Sequence, residues 1–201
     1  MIKNVVLDVG NVLVEWAPLA ALKGLGIDDA AAEEILDATV RTPQWSEFDR
    51  GVLPDEEILG GMIEKVPQYE HEIRLFWDHM SDAIWTFSYS EDWIKSLKAN
   101  GYHVYILSNY GKDTYNKTRE ALRCTELADG RIFSYEVGQI KPEPEIYQTL
   151  FTRFDLVPEE CVFIDDRADN IEAAREQGMH GIVFHSIEQA KQELHELGVD
   201  A

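Results

Sequence analysis

Within Lys3-Asn4-Val5-Val6-Leu7-Asp8-Val9-Gly10-Asn11-Val12-Leu13, a continuous apolar run from Val5 to Leu7 ends in a carboxylate and then a glycine turn. A run without polar alternation predicts a short strand buried on both faces, as in a parallel sheet covered by helices. Asp8 then stands at the strand's C-terminal end. In an open α/β sheet that edge binds ligands, because loops and helix N-termini converge there. An isolated Asp-x-Gly is also an ordinary turn, so the meaning of Asp8 rests on what later strand ends bring beside it.

Working outward, His103 to Leu107 reads as a strand ending in Ser108-Asn109, and Cys161 to Ile164 as a buried strand ending in Asp165-Asp166. A short extended piece covers Arg131 to Tyr135, and a last strand covers Gly181 to Phe184. Helices are predicted over Asp92 to Ala99, Asp113 to Arg123, Glu145 to Phe154, Asn170 to Gln177 and Ile187 to Leu197. Ser88 and Glu91 have the spacing of a capping box before the first of these. Strands alternating with helices imply right-handed crossovers and an α/β, Rossmann-like parallel sheet covered on both faces.

The first strand lacks a crossover of its own, because an all-helical block follows it. Helical spacing recurs over Ala17 to Leu25, Asp28 to Val40, Gln44 to Arg50, about Pro54 to Lys65 and Tyr69 to Ala83, with no convincing strand among them. Residues 15–86 are therefore read as an inserted helical cap, and residues 1–14 and 87–201 as the core.

Composition narrows the partners. With 38 acidic against 18 basic residues the formal net charge is −20, which argues against nucleic acid and against anionic membrane, since both draw their affinity from basic groups. No apolar run approaches a membrane span and no signal peptide is evident, so the expected location is cytoplasmic. Cys124 and Cys161 lie far apart and read as buried free thiols. The chain is expected to be a monomer or dimer.

Chemistry collects at the strand ends. Asp8, Ser108-Asn109 and Asp165-Asp166 share one sheet edge, and Lys141-Pro142-Glu143-Pro144 falls between the last two in sequence. Carboxylates from different strands suit a hard divalent cation, with magnesium the natural candidate. Ser108, Asn109 and Lys141 add the donors and the positive charge that a phosphoryl group needs.

Four ordered stretches resemble the motifs of the haloacid dehalogenase-like hydrolase superfamily: Val5 to Leu13, Ile106 to Asn109, Lys141 to Tyr147, and Val162 to Ile171. The insertion matches the position of the helical cap of its first subfamily. The Asp-x-Gly-Asn-Val opening and Asp-Asp-x-x-x-Asn ending are most similar to bacterial phosphatases of the α-D-glucose-1-phosphate phosphatase type. The resemblance implies that Asp8 is the nucleophile, forming an aspartyl phosphate on a small phosphorylated metabolite. It implies Mg²⁺ held by Asp8, the Gly10 carbonyl, Asp166 and Asp165, with Ser108, Asn109 and Lys141 on the phosphoryl group. Asn170 falls where many relatives carry a further acid and is read as supporting the site from behind.

One departure matters. Most phosphatases of this superfamily carry a second aspartate two residues after the nucleophile, as general acid, and here that position is Gly10. Glu15, Glu47 and His79 are the substitutes that the sequence offers. Trp16, directly after the catalytic loop, is the first candidate for substrate specificity, with Trp45 and Arg50 behind it. Rival readings are a metal-independent 2-haloacid dehalogenase, a receiver-type signalling domain, and a catalytically weak binding or regulatory protein.

Overall fold

A computed structural model describes residues 1–201. In chain order the elements are β1 (Asn4–Leu7), β2 (Val14–Trp16), α1 (Pro18–Gly24), α2 (Asp29–Ala38), α3 (Pro43–Arg50), α4 (Asp55–Ile63), α5 (Glu70–Asp78) and β3 (Ile84–Thr86). There follow α6 (Ser90–Ala99), β4 (His103–Ser108), α7 (Lys112–Thr118), β5 (Gly130–Phe133), α8 (Ser134–Val137), α9 (Pro144–Phe154), β6 (Cys161–Asp165), α10 (Ala168–Glu176), β7 (His180–Val183) and α11 (Ile187–Glu196). No helix is long and apolar enough to cross a membrane.

Five strands form the sheet in the order β5-β4-β1-β6-β7, every pair parallel. This is the α/β, Rossmann-like architecture expected. The apolar run of β1 is completely buried because β1 is the central strand, paired on both sides. Its side chains alternate between two apolar clusters: Val5 and Leu7 join one with Val104, Ile106, Val162 and Ile164, while Val6 joins Tyr105, Leu107 and Phe163 in the other. The period-2 geometry of a strand requires that split. The first cluster runs on through Leu22, Ile35, Phe48, Met62, Ile73 and Phe76 of α1 to α5, so those helices and the sheet share continuous apolar packing.

Two local expectations are corrected. The block read as strandless begins and ends in strand: β2 and β3 pair antiparallel, Val14 with Thr86 and Trp16 with Ile84. Three residues each are too few to show alternation, and their pairing partner lies about seventy residues away in sequence. Nor does Ser88 cap α6. That helix begins at Ser90, whose hydroxyl donates instead to the Leu13 carbonyl at 2.6 Å, fastening the helix to the β1 loop. Both cysteines are buried and free, as expected.

Candidate active site

Asp8 follows the last residue of β1, and its backbone N–H donates to the Ile164 carbonyl at 2.9 Å. Leu7 pairs with Ile164, so continuing the register by one residue sets Asp8 beside Asp165. Asp166 follows at once. One carboxylate oxygen from each of Asp8, Asp165 and Asp166 lies within 4.8 Å of the other two. Ser108 ends β4 on the other side, and all of these side chains except Asp165 line one cleft of about 700 Å³, a size that suits a small metabolite.

Lys141 is the buried cation of the site. Its Nζ lies 2.6 Å from Asp165 Oδ2 and 2.8 Å from Asp8 Oδ1. The first contact is a well-formed hydrogen bond. The second has the distance of an ion pair but poor hydrogen-bond alignment, which leaves Asp8 Oδ1 without a proper donor. Burial opposes the ammonium charge, yet Asp165 and Asp8 outweigh it and push the Lys141 pKa above its usual range. Lys141 is thus a fixed positive charge.

Burial pushes Asp8 the other way, up to about 7, with Lys141 opposing and the charges of Asp165 and Asp166 adding to the rise. Asp166 is raised as well, by burial first. Three carboxylates facing one ammonium form an acid-rich pocket short of positive charge.

The structure divides labour among the motif residues more finely than their order suggests. Asp165 is saturated: its oxygens accept from Lys141 Nζ, from Asn170 Nδ2 at 3.0 Å and from the Arg167 N–H at 2.8 Å. Asn109, read as a phosphoryl ligand, spends its side chain on the Lys141 backbone, donating to its carbonyl at 2.9 Å and accepting from its N–H at 2.7 Å. The Lys141–Pro142 peptide between these contacts and Glu143 is cis. Asn170 does stand behind the acids, and its Oδ1 is buried without a partner.

Two residues escaped the sequence reading. Asn11 sits at φ 56°, a left-handed turn conformation that asparagine tolerates. From there its amide donates to Asp166 Oδ2 at 2.8 Å and accepts from the Trp16 N–H at 3.2 Å. The quoted Gly-Asn pair carried that signal. The second is Asp49, which lines the cleft from α3. Burial pushes its carboxyl up to about 8, with the Gly111 N–H and Lys141 drawing it down and Asp8 adding to the rise. Asp49 lies four residues after Trp45 and so shares that residue's helix face, an acid among aromatics.

Of the aromatics between β1 and α6, Trp16 and Trp45 line the cleft, ring centroids 5.8 Å apart. Phe48, Phe76 and Trp77 are buried among apolar neighbours instead. Arg50 points away to Glu143 of the Lys-Pro-x-Pro turn, with two hydrogen bonds of 2.8 and 2.6 Å. Such a fork-to-fork pair is geometrically specific. Because both partners retain solvent exposure, Arg50→Gln is expected to cost about 1 kcal/mol, or about 2–4 °C of melting temperature for a chain of this size. A double-mutant cycle with Glu143→Gln, read by thermal melts, checks that the loss belongs to the pair.

Comparison with known proteins agrees with this arrangement. The chain is 28% identical over 196 residues to D-ribitol-5-phosphate phosphatase of Bacteroides thetaiotaomicron, covering 89% of each chain. It is 24% identical over 180 residues to a sesquiterpene phosphatase of Aspergillus oryzae, covering 90% of this chain and 88% of that one. A haloacid dehalogenase family enzyme of Bacteroides thetaiotaomicron, solved in complex with magnesium and inorganic phosphate, superposes with a TM-score of 0.72 at 22% identity, covering 96% of this chain and 99% of that one. The family model of haloacid dehalogenase-like hydrolases matches residues 2–178, and the chain belongs to that family.

Proposed function

We propose that the protein is a Mg²⁺-dependent phosphatase that hydrolyses a small phosphorylated metabolite of the sugar phosphate class, such as glucose 1-phosphate. The observation that carries this reading is the meeting of Asp8, Asp165 and Asp166 within 4.8 Å beside a fully buried Lys141. Two neighbouring strand ends, of β1 and β6, supply one nucleophile and a negative pocket, and Lys141 supplies one charge for a phosphoryl oxygen. The named activities of the two phosphatase relatives support the same class.

Magnesium fits the residues present. The donors are all oxygen, as a hard cation requires, and Asp8 Oδ1 is a buried acceptor with no aligned donor. Asp8, Asp166 and the Gly10 carbonyl would hold the ion. We assign Asp165 instead to holding Lys141, because its oxygens are already occupied. When bound, the ion supplies positive charge that neutralises the phosphoryl oxygens.

The remaining steps belong to the chain. Asp8 attacks phosphorus in line, and the Asp8 oxygen–phosphorus bond forms as the ester oxygen–phosphorus bond breaks. Lys141 Nζ and the Ser108 hydroxyl hold the oxygens of the transferring group. Asn109 contributes by fixing the Lys141 backbone, and Asn11 by orienting Asp166. Water then displaces the phosphoryl group from Asp8. The Trp16–Trp45 wall and the Arg41 rim face the part of the substrate that leaves.

Purified protein offered a panel of phosphate esters with Mg²⁺ is expected to release phosphate, to lose that activity in EDTA and to regain it when Mg²⁺ is restored. Persistent activity in EDTA on 2-haloacids, without phosphate release from any ester, would show a dehalogenase instead.

A further inference from the structure

Gly10 leaves the reaction without its usual proton donor, and the candidates suggested by the sequence do not reach the cleft. Glu15 accepts from Trp85 Nε1 at 2.9 Å on the β2–β3 ribbon. Glu47 is paired with Arg50, and His79 is exposed with Nδ1 at 2.9 Å from the Leu75 carbonyl. None of the three lines the cleft. Its titratable lining is Asp8, Asp49, Tyr110, Lys141 and Asp166, beside two arginines. Tyr110 is turned to the Thr118 hydroxyl at 2.7 Å. Lys141 is held as a cation by two carboxylates, and arginine does not give up its proton. Asp49 is the carboxyl that remains.

Its position is built rather than incidental. The backbone carbonyl of Asp49 accepts from Ser134 Oγ at 2.5 Å, and that same oxygen accepts from the Tyr110 N–H at 2.8 Å, so α3 is tied to the loop after β4. Phe48 presses so closely on Gly111 that a Cβ there would fall on its ring. Arg50 clasps Glu143 on the other side. Residues 48, 49 and 50 thus anchor one helix end to three parts of the site, and Asp49 lines the same cleft as Asp8.

We propose that Asp49 is the general acid and base of this enzyme, supplied by the insertion in place of the residue missing at Gly10. The inference rests on the phosphatase reading. In the first step, Asp49 gives its proton to the leaving oxygen as the ester oxygen–phosphorus bond breaks and the bond to Asp8 forms. In the second, the Asp49 carboxylate takes a proton from water as the water oxygen bonds to phosphorus and the Asp8 oxygen leaves. Asp49 ends protonated and Asp8 ends as carboxylate, so the cycle closes. Its raised pKa is consistent with a carboxyl that holds a proton near neutral pH.

The test compares Asp49→Asn with wild type on an alkyl phosphate and on 4-nitrophenyl phosphate, whose leaving group needs no proton. We expect alkyl phosphate turnover to fall about 10²–10⁴-fold. The first turnover of the nitrophenyl ester should stay within a few-fold of wild type, followed by slow steady-state release and accumulation of phosphate on Asp8. Gly10 has φ in the ordinary range and open space around a built Cβ. Gly10→Asp in the Asp49→Asn background should therefore recover most of the lost alkyl turnover, which a merely misfolded variant would not allow. Equal slowing of both first turnovers, or none, with wild type active, would overturn the role of Asp49 alone. A wild type inactive on every ester would overturn the phosphatase reading with it.

Discussion

Lys141→Met will unfold more easily and will turn over little substrate. Lys141 is 3% exposed and lies between Asp8 and Asp165, which are 7% and 0% exposed. Removing it leaves two buried carboxylates without a cation. Breaking a buried pair in this way costs about 3–5 kcal/mol, which for a chain of this size lowers the melting temperature by about 6–20 °C. The deficit narrows in acid, because Asp8, which burial already pushes up to about 7, neutralises itself by taking a proton. On the proposed mechanism, losing a fixed donor to the phosphoryl group is expected to add a fall of about 10²–10³-fold in turnover. Melts at pH 7 and near pH 4, with rates taken well below the melting point, separate the two effects. A variant as stable as wild type at neutral pH would show that the charge is not held as described.

Asp8→Asn should move stability in the opposite direction while abolishing the reaction. Burial raises the Asp8 pKa from 3.8 to about 7. In the metal-free protein the folded state thus favours the protonated form. The associated stability is fully present below about pH 4 and is lost as pH climbs towards 7, after which the loss levels off. Asparagine resembles the protonated acid and avoids that loss. The melting temperature of Asp8→Asn is expected to exceed that of wild type by a margin that opens between about pH 4 and pH 7. Added Mg²⁺ should raise wild type more than the variant, closing the margin. Phosphate release and formation of the aspartyl phosphate should both vanish, since the amide is no nucleophile here. A margin of the opposite sign would mean that Asp8 is stabilised as an anion by the protein alone.

These opposite signs rest on features of unequal legibility. The sheet could be read because buried parallel strands are unbroken apolar runs, and Val5–Leu7 and Cys161–Ile164 leave no other reading. Asp8, Ser108 and Asp166 could be read because each stands at the end of such a run, and Lys141 because it opens a Lys-Pro-x-Pro turn between the last two. Asp49 could not be placed, since its partners are fixed by the docking of α3 on residues far along the chain, Ser134 and Glu143. The use of Asn109 was equally hidden: an amide at a strand end serves a ligand or a backbone, and only the fold of the Lys141 turn decides. Asp165 and Asp166 looked interchangeable in sequence. One residue of alternation turns Asp165 inward to Lys141 and leaves Asp166 to Asn11 and the cleft.

The short ribbon of β2 and β3 bears on how the cleft admits its substrate. The chain enters and leaves the α1 to α5 segment through it, and the two strands are hydrogen-bonded to each other. Any opening between α3 and the sheet edge must therefore bend the two strands together about a common axis, rather than letting each connector flex independently. Trp16 belongs to that ribbon, paired with Ile84, and to the cleft wall at once. On the proposed function, a residue of the cleft wall is thereby also part of the ribbon that joins the two segments, so a change there is expected to alter the rate of entry along with the choice of what enters.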